Sequence, residues 1–120
     1  EPRYDEAKFM YGLVALANGQ DAIAKELFKD FDRKKILYDD RYISILASLG
    51  KFPEIIDILK TRISENPVKT EYRLSLTAAY LQSGQRVMAV STIKDIIKID
   101  PSFKERGEYY IKEIEAGRNP

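Results

Sequence analysis

Residues 81–101 read LQSGQRVMAVSTIKDIIKIDP, and residues 47–67 read ASLGKFPEIIDILKTRISENP. Gly50 and Gly84 lie 34 positions apart, and so do Pro67 and Pro101. Aligning the two stretches on their glycines sets Tyr42, Leu46, Ile55, Leu59 and Ile63 beside Leu76, Tyr80, Ala89, Ile93 and Ile97. Before each glycine the apolar residues recur in steps of four, and after it they do so again, which is helical period on both sides. Glycine suits a left-handed cap at the end of the first helix. The Asn-Pro and Asp-Pro pairs end the second, because proline disfavours helix in the residue before it. A helix pair that cannot bury its apolar face alone must stack on copies of itself, so the punctuation recurs.

A third copy lies upstream. Gly19 sits in LANGQDAIAKELF, with Tyr11, Ala15, Ala24 and Phe28 at the matching offsets. Gly19 and Gly50 are only 31 apart, and the missing three residues fall after Phe31, in DFDRKKI. Beyond Pro101, SFKERGEYYIKEIEAGRNP gives one more amphipathic helix, with Phe103, Tyr110, Ile111 and Ile114 on one side. Seven helices are expected, at about 2–18, 20–32, 36–49, 53–65, 68–83, 86–99 and 102–116. No segment alternates with period two over a convincing length.

This pattern resembles the tetratricopeptide repeat (TPR). The third unit carries it best, in Leu76, Tyr80, Gly84, Ala89 and Ile99-Asp100-Pro101, while the first supplies Gly12, Ala15, Gly19, Ala24 and Phe28. The second departs from it, with Ile43 in a slot usually small and Ile55 in place of alanine. The resemblance implies an all-α fold: a right-handed α-solenoid of antiparallel helix pairs, one domain over 1–120. Its repeats fall at about 5–35, 36–69 and 70–103, closed by a capping helix at 102–116. It also implies a non-catalytic protein-interaction module, with first helices lining a concave groove that holds a peptide or a partner's helix.

On this register the groove residues are Phe9, Leu13 and Leu16, then Asp40, Ser44 and Ala47, then Leu74, Ala78, Leu81 and Gln82. The best-known peptide-binding members of that family grip a C-terminal carboxylate with Lys, Asn and Arg side chains. Here the matching positions hold Phe9, Leu13, Glu71 and Ser75, and only Arg41 is basic, so that mechanism is rejected. The groove is then apolar at its ends and small in the middle. The plainer reading is that Phe9, Leu13, Leu74 and Leu81 pack against neighbouring helices.

Composition narrows the remaining classes. Lys and Arg number 20 against 19 Asp and Glu, which leaves no long-range pull toward nucleic acid. Histidine and cysteine are both absent, which removes the commonest general base, the commonest metal ligand and any thiolate chemistry. No enzyme, cofactor or metal is expected. The longest apolar run, residues 9–17, falls short of the roughly 20 a membrane helix needs, so no direct membrane insertion of this segment is expected. The chain opens on Glu1, without a signal-peptide pattern, and reads as a piece of a longer protein whose cellular side is left open. The alternative function is a structural or oligomerisation tail of a larger, membrane-associated bacterial protein, with a homodimer formed through a terminal helix.

Smaller features have local readings. Asp32–Lys35 (DRKK) reads as a solvated basic loop, and Asp39 or Asp40 as an ion-pair partner for Arg41 or a lysine. Tyr11, Tyr42, Tyr80 and Tyr110 read as repeat core; Tyr4, Tyr38, Tyr72 and Tyr109 read as exposed. Gly107, inside the last helix, is expected to permit close packing on the helix at 86–99.

Overall fold

Gly19, Gly50 and Gly84 each hold a positive φ, between 71° and 77°, the left-handed region that a Cβ disfavours. The hydrogen bonds around them are the same three times over. Gly19 N–H donates to the Leu16 carbonyl and Gln20 N–H to that of Ala15; Gly50 and Lys51 donate to Ala47 and Leu46; Gly84 and Gln85 donate to Leu81 and Tyr80. This double bond pattern is the Schellman cap, which satisfies carbonyls that the helix end would otherwise leave open. The sequence singled out those three glycines and missed a fourth. Gly117 (φ 84°) donates to the Ile114 carbonyl and Arg118 to that of Glu113, closing the last helix in the same way.

The structure, a computed structural model, describes residues 2–120, with side chains from Arg3 onward. Among the described residues all regular structure is helical. The elements are α1 (Pro2–Ala17), α2 (Asp21–Phe28), α3 (Arg33–Leu37), α4 (Asp40–Ser48), α5 (Phe52–Glu65), α6 (Thr70–Gln82), α7 (Arg86–Ile99), a 3-10 turn (Pro101–Phe103) and α8 (Lys104–Glu115). They form two compact units, residues 1–51 and 52–120. The boundary falls within the stretch read as the second repeat.

In the first unit α1 packs on α2 and on α4. Its buried side chains include Phe9, Leu13, Leu16, Ala24, Phe28, Leu37 and Leu46. Four aromatic rings cluster here: Phe9 stands 5.2 Å from Phe28, tilted to it, and 5.2 Å from Phe31, edge to face, and Phe28 stands 5.7 Å from Tyr42, also edge to face. Gly12 gives this cluster its room, since a Cβ there would sit 2.5 Å from Phe28 Cε1.

The shortened joint is built differently from the expectation. The helix expected at 20–32 ends at Phe28, and the basic loop at 32–35 is instead the start of α3. Asp32 caps it by accepting from the Lys34 N–H at 2.9 Å. The helix expected at 36–49 is therefore divided: α3 stops at Leu37, and Asp39 caps a fresh start by accepting from the Arg41 N–H at 2.9 Å.

In the second unit α6 packs on α5 and α7, and α8 packs on α7. Ile55, Leu59, Leu76, Tyr80, Ala89, Ile93, Ile96, Phe103 and Ile114 are buried. Gly107 meets its expectation: a Cβ there would stand 2.8 Å from Ile97 Cδ1 on α7. The tyrosine expectations fare unevenly. Tyr80 is buried and Tyr42 and Tyr110 are half-buried, whereas Tyr11 points to solvent at 68% exposure. Tyr4 and Tyr109 are exposed as expected, while Tyr38 and Tyr72 are half-buried.

Candidate functional site

The second half of α1, residues 9–17, is apolar on nearly every side, so its packing partners decide which face is left over. Phe9, Gly12, Leu13 and Leu16, spaced by three or four, turn inward. Rotated about one residue, or 100°, the next stripe is Met10, Val14 and Ala17, and it stays exposed. Met10 is 41% and Val14 53% exposed. Opposite stand Asp40, Arg41, Ser44 and Ile45 of α4. Together with Leu13 these residues line an open cleft of about 460 Å³.

The expected groove is thus corrected on α1. Phe9 and Leu16 are core, at 0% and 6% exposure, and Leu13 is largely buried but reaches the cleft wall. Asp40 and Ser44 do line the cleft, whereas Ala47 is half-buried one turn farther on. Met10, Val14 and Ile45 were missed. In the second unit Leu74, Ala78 and Gln82 form an exposed stripe on α6, with Leu81 half-buried beside it.

Arg41 governs the charge at the mouth of the cleft. Its Nε donates to Asp39 Oδ1 at 3.0 Å and its Nη2 to Asp39 Oδ2 at 2.7 Å, a two-pronged grip. Its Nη1 reaches across to α1, donating to Glu6 Oε1 at 2.9 Å and lying 3.1 Å from Met10 Sδ. Lys35 Nζ lies 3.5 Å from Glu6 Oε2. Lys35 and Arg41 also stand 4.7 and 5.4 Å from the Phe9 ring centre. The Arg41 side-chain hydrogen bonds hold both the Asp39 and the Glu6 carboxyl below the usual range, against an opposing desolvation. In return the two carboxylates, Asp39 first, hold the guanidinium still more firmly in its charged form. The ion pair expected around Arg41 is present, with Asp39 and a distant Glu6 as partners.

This network changes what the cleft can recognise. Arg41, the one basic side chain among the residues lining the cleft, already faces two carboxylates, so an incoming carboxylate would have to displace one of them. The walls offer apolar contact and the small Ala17 and Ser44, not a charge clamp. Among the described residues no group of three or more acidic side chains is placed to hold a metal ion, and no helix is long and apolar enough to cross a membrane. Comparison with family models, curated proteins and solved structures returned no match.

Proposed function

We propose that the chain is a non-catalytic helical-repeat module of TPR type whose α1/α4 cleft binds an apolar-faced peptide or helix of a partner protein. The repeat reading is supported by four glycines, Gly19, Gly50, Gly84 and Gly117, that close their helices with one hydrogen-bond pattern. On this reading α1, α4, α6 and α8 are the first helices of successive units, and α8 is the start of a fourth.

The observation that carries the binding reading is the exposed stripe of Met10 and Val14 facing Ile45 across an open cleft. Apolar surface kept accessible and concave marks an interaction site. A helix laid in a groove buries side chains spaced three and four residues apart. Methionine suits the lining, because its unbranched side chain adapts to different shapes.

A displayed library of random peptides, selected on the whole chain and on Val14→Arg, tests this. Val14 is exposed, so the variant folds, which circular dichroism checks. Enriched peptides with apolar residues at helical spacing, at least tenfold weaker on Val14→Arg by fluorescence polarisation, are expected. Peptides that bind both proteins equally, or no enrichment at all, would overturn the assignment.

A further inference from the structure

Histidine, cysteine and tryptophan are absent and methionine occurs only twice, so Met10 and Met88 are the side chains that peroxide oxidises readily. Both are open to solvent, Met10 at 41% and Met88 at 42% exposure. Their settings differ. Met88 stands on α7 in the second unit, whereas Met10 lines the α1/α4 cleft. At Met10 a guanidinium addresses the sulfur: Arg41 Nη1 donates to Sδ at 3.1 Å and to Glu6 Oε1 at 2.9 Å.

A thioether is a weak acceptor, so Arg41 gains little from the sulfur as it stands. Oxidation changes this. The sulfur's electron pair bonds to one oxygen of a peroxide as the O–O bond breaks. The departing hydroxide takes the proton of the transferred oxygen and leaves as water. The sulfoxide that results is polar, and its oxygen is a good acceptor. It forms within reach of a guanidinium that the Asp39 and Glu6 carboxylates already hold in place. A hydrogen bond from a charged donor is roughly twice as strong as a neutral one. The core is spared, because Phe9 and not Met10 fills the interior of this unit.

Taking the α1/α4 cleft as the binding site, we infer that Met10 is a reversible oxidation site, whose sulfoxide, held by Arg41, closes the cleft to apolar partners without unfolding the chain. The reduced thioether offers an adaptable apolar surface beside Val14 and Ile45. The sulfoxide sets a hydrated dipole there, which a partner's apolar side chain would have to strip of water. Methionine sulfoxide reductases, one for each epimer, supply the reverse step: the oxygen leaves as water while a dithiol becomes a disulfide.

Met88→Leu leaves Met10 as the one methionine, and mass spectrometry after hydrogen peroxide checks that a single oxygen has been added. The first readout needs no ligand. Urea denaturation of the reduced and the oxidised protein, each with and without Arg41→Gln, isolates the bond between sulfoxide and guanidinium. Oxidation should cost less stability when Arg41 is present; an equal or greater cost would overturn the proposal. The second readout uses a peptide enriched on the whole chain. Its affinity should fall about tenfold on oxidation, as for the loss of one apolar side-chain contact. It should return after reductase treatment, and peroxide should leave it unchanged in Met10→Leu/Met88→Leu. An affinity indifferent to Met10 oxidation would equally overturn the proposal. Failure to enrich any peptide removes the α1/α4 binding reading instead, and the urea comparison still decides whether Arg41 holds an oxidised Met10.

Discussion

Replacing Phe9 with alanine separates two roles that the sequence alone leaves open for this residue. In the structure the ring is 0% exposed, sits 5.2 Å from both Phe28 and Phe31, and carries Lys35 and Arg41 against it. Deleting a fully buried phenylalanine side chain costs about 3–5 kcal/mol, the lost transfer energy plus the cavity left behind. Its two ring pairs, one tilted and one edge to face, at about 1 kcal/mol each, argue for the middle of that range or above. The expected loss is about 4 kcal/mol, a large share of the roughly 5–15 kcal/mol that holds a whole domain folded. Met10→Ala, one residue away but 41% exposed, should cost no more than about 1 kcal/mol. Urea denaturation followed by circular dichroism measures both. A Phe9→Ala variant within about 1 kcal/mol of the parent, or one costing no more than Met10→Ala, would show that the ring is surface and that the cleft is lined by the other stripe.

Two further outcomes test neighbouring claims. Gly12→Ala gains up to about 1 kcal/mol of helix propensity, yet drives a methyl into a Phe28 ring wedged against Phe9 and Tyr42. Overpacking of that kind costs about 1–3 kcal/mol, so a net loss of about 1 kcal/mol is expected in the same urea assay, and a gain in stability would contradict the packing. Asp39 should titrate, by carbon-detected magnetic resonance, below the ordinary aspartate value of about 3.9, and return toward it in Arg41→Gln. Because its folded pKa is the lower one, its contribution to stability is complete above about pH 4 and is lost as pH falls through the folded value. In Asp39→Asn, which keeps the helix cap, that part of the acid-side slope should vanish; an unchanged slope would refute the coupling.

The glycine and proline punctuation made the helical content legible, because left-handed caps and Asp-Pro stops act locally and need no knowledge of the fold. The face of α1 was not legible. FMYGLVALA is apolar at every rotation, so periodicity cannot tell the Phe9–Leu13–Leu16 stripe from the Met10–Val14–Ala17 stripe. Gly12 held the available clue, since a glycine inside a helix signals a close neighbour on that side, here Phe28. The break between α3 and α4 was also signalled locally, by Asp32 and Asp39 as two successive cap residues, but the lysines between them suggested a loop. Nothing local announced that Arg41 would meet Glu6, 35 residues away, or that Arg86 would seize the end of α8.

The Arg41 network has a consequence for the kind of binding to expect. A groove that captures a ligand's charge loses affinity steeply with salt. Here the guanidinium is already matched by Asp39 and Glu6, so affinity should rest on apolar burial and depend little on ionic strength. Two or three buried side chains, at about 1.5–3 kcal/mol each, offset by the cost of ordering a peptide, lead to weak, reversible capture. Specificity would then come from shape, with Ala17 and Ser44 deciding how closely a partner's backbone approaches.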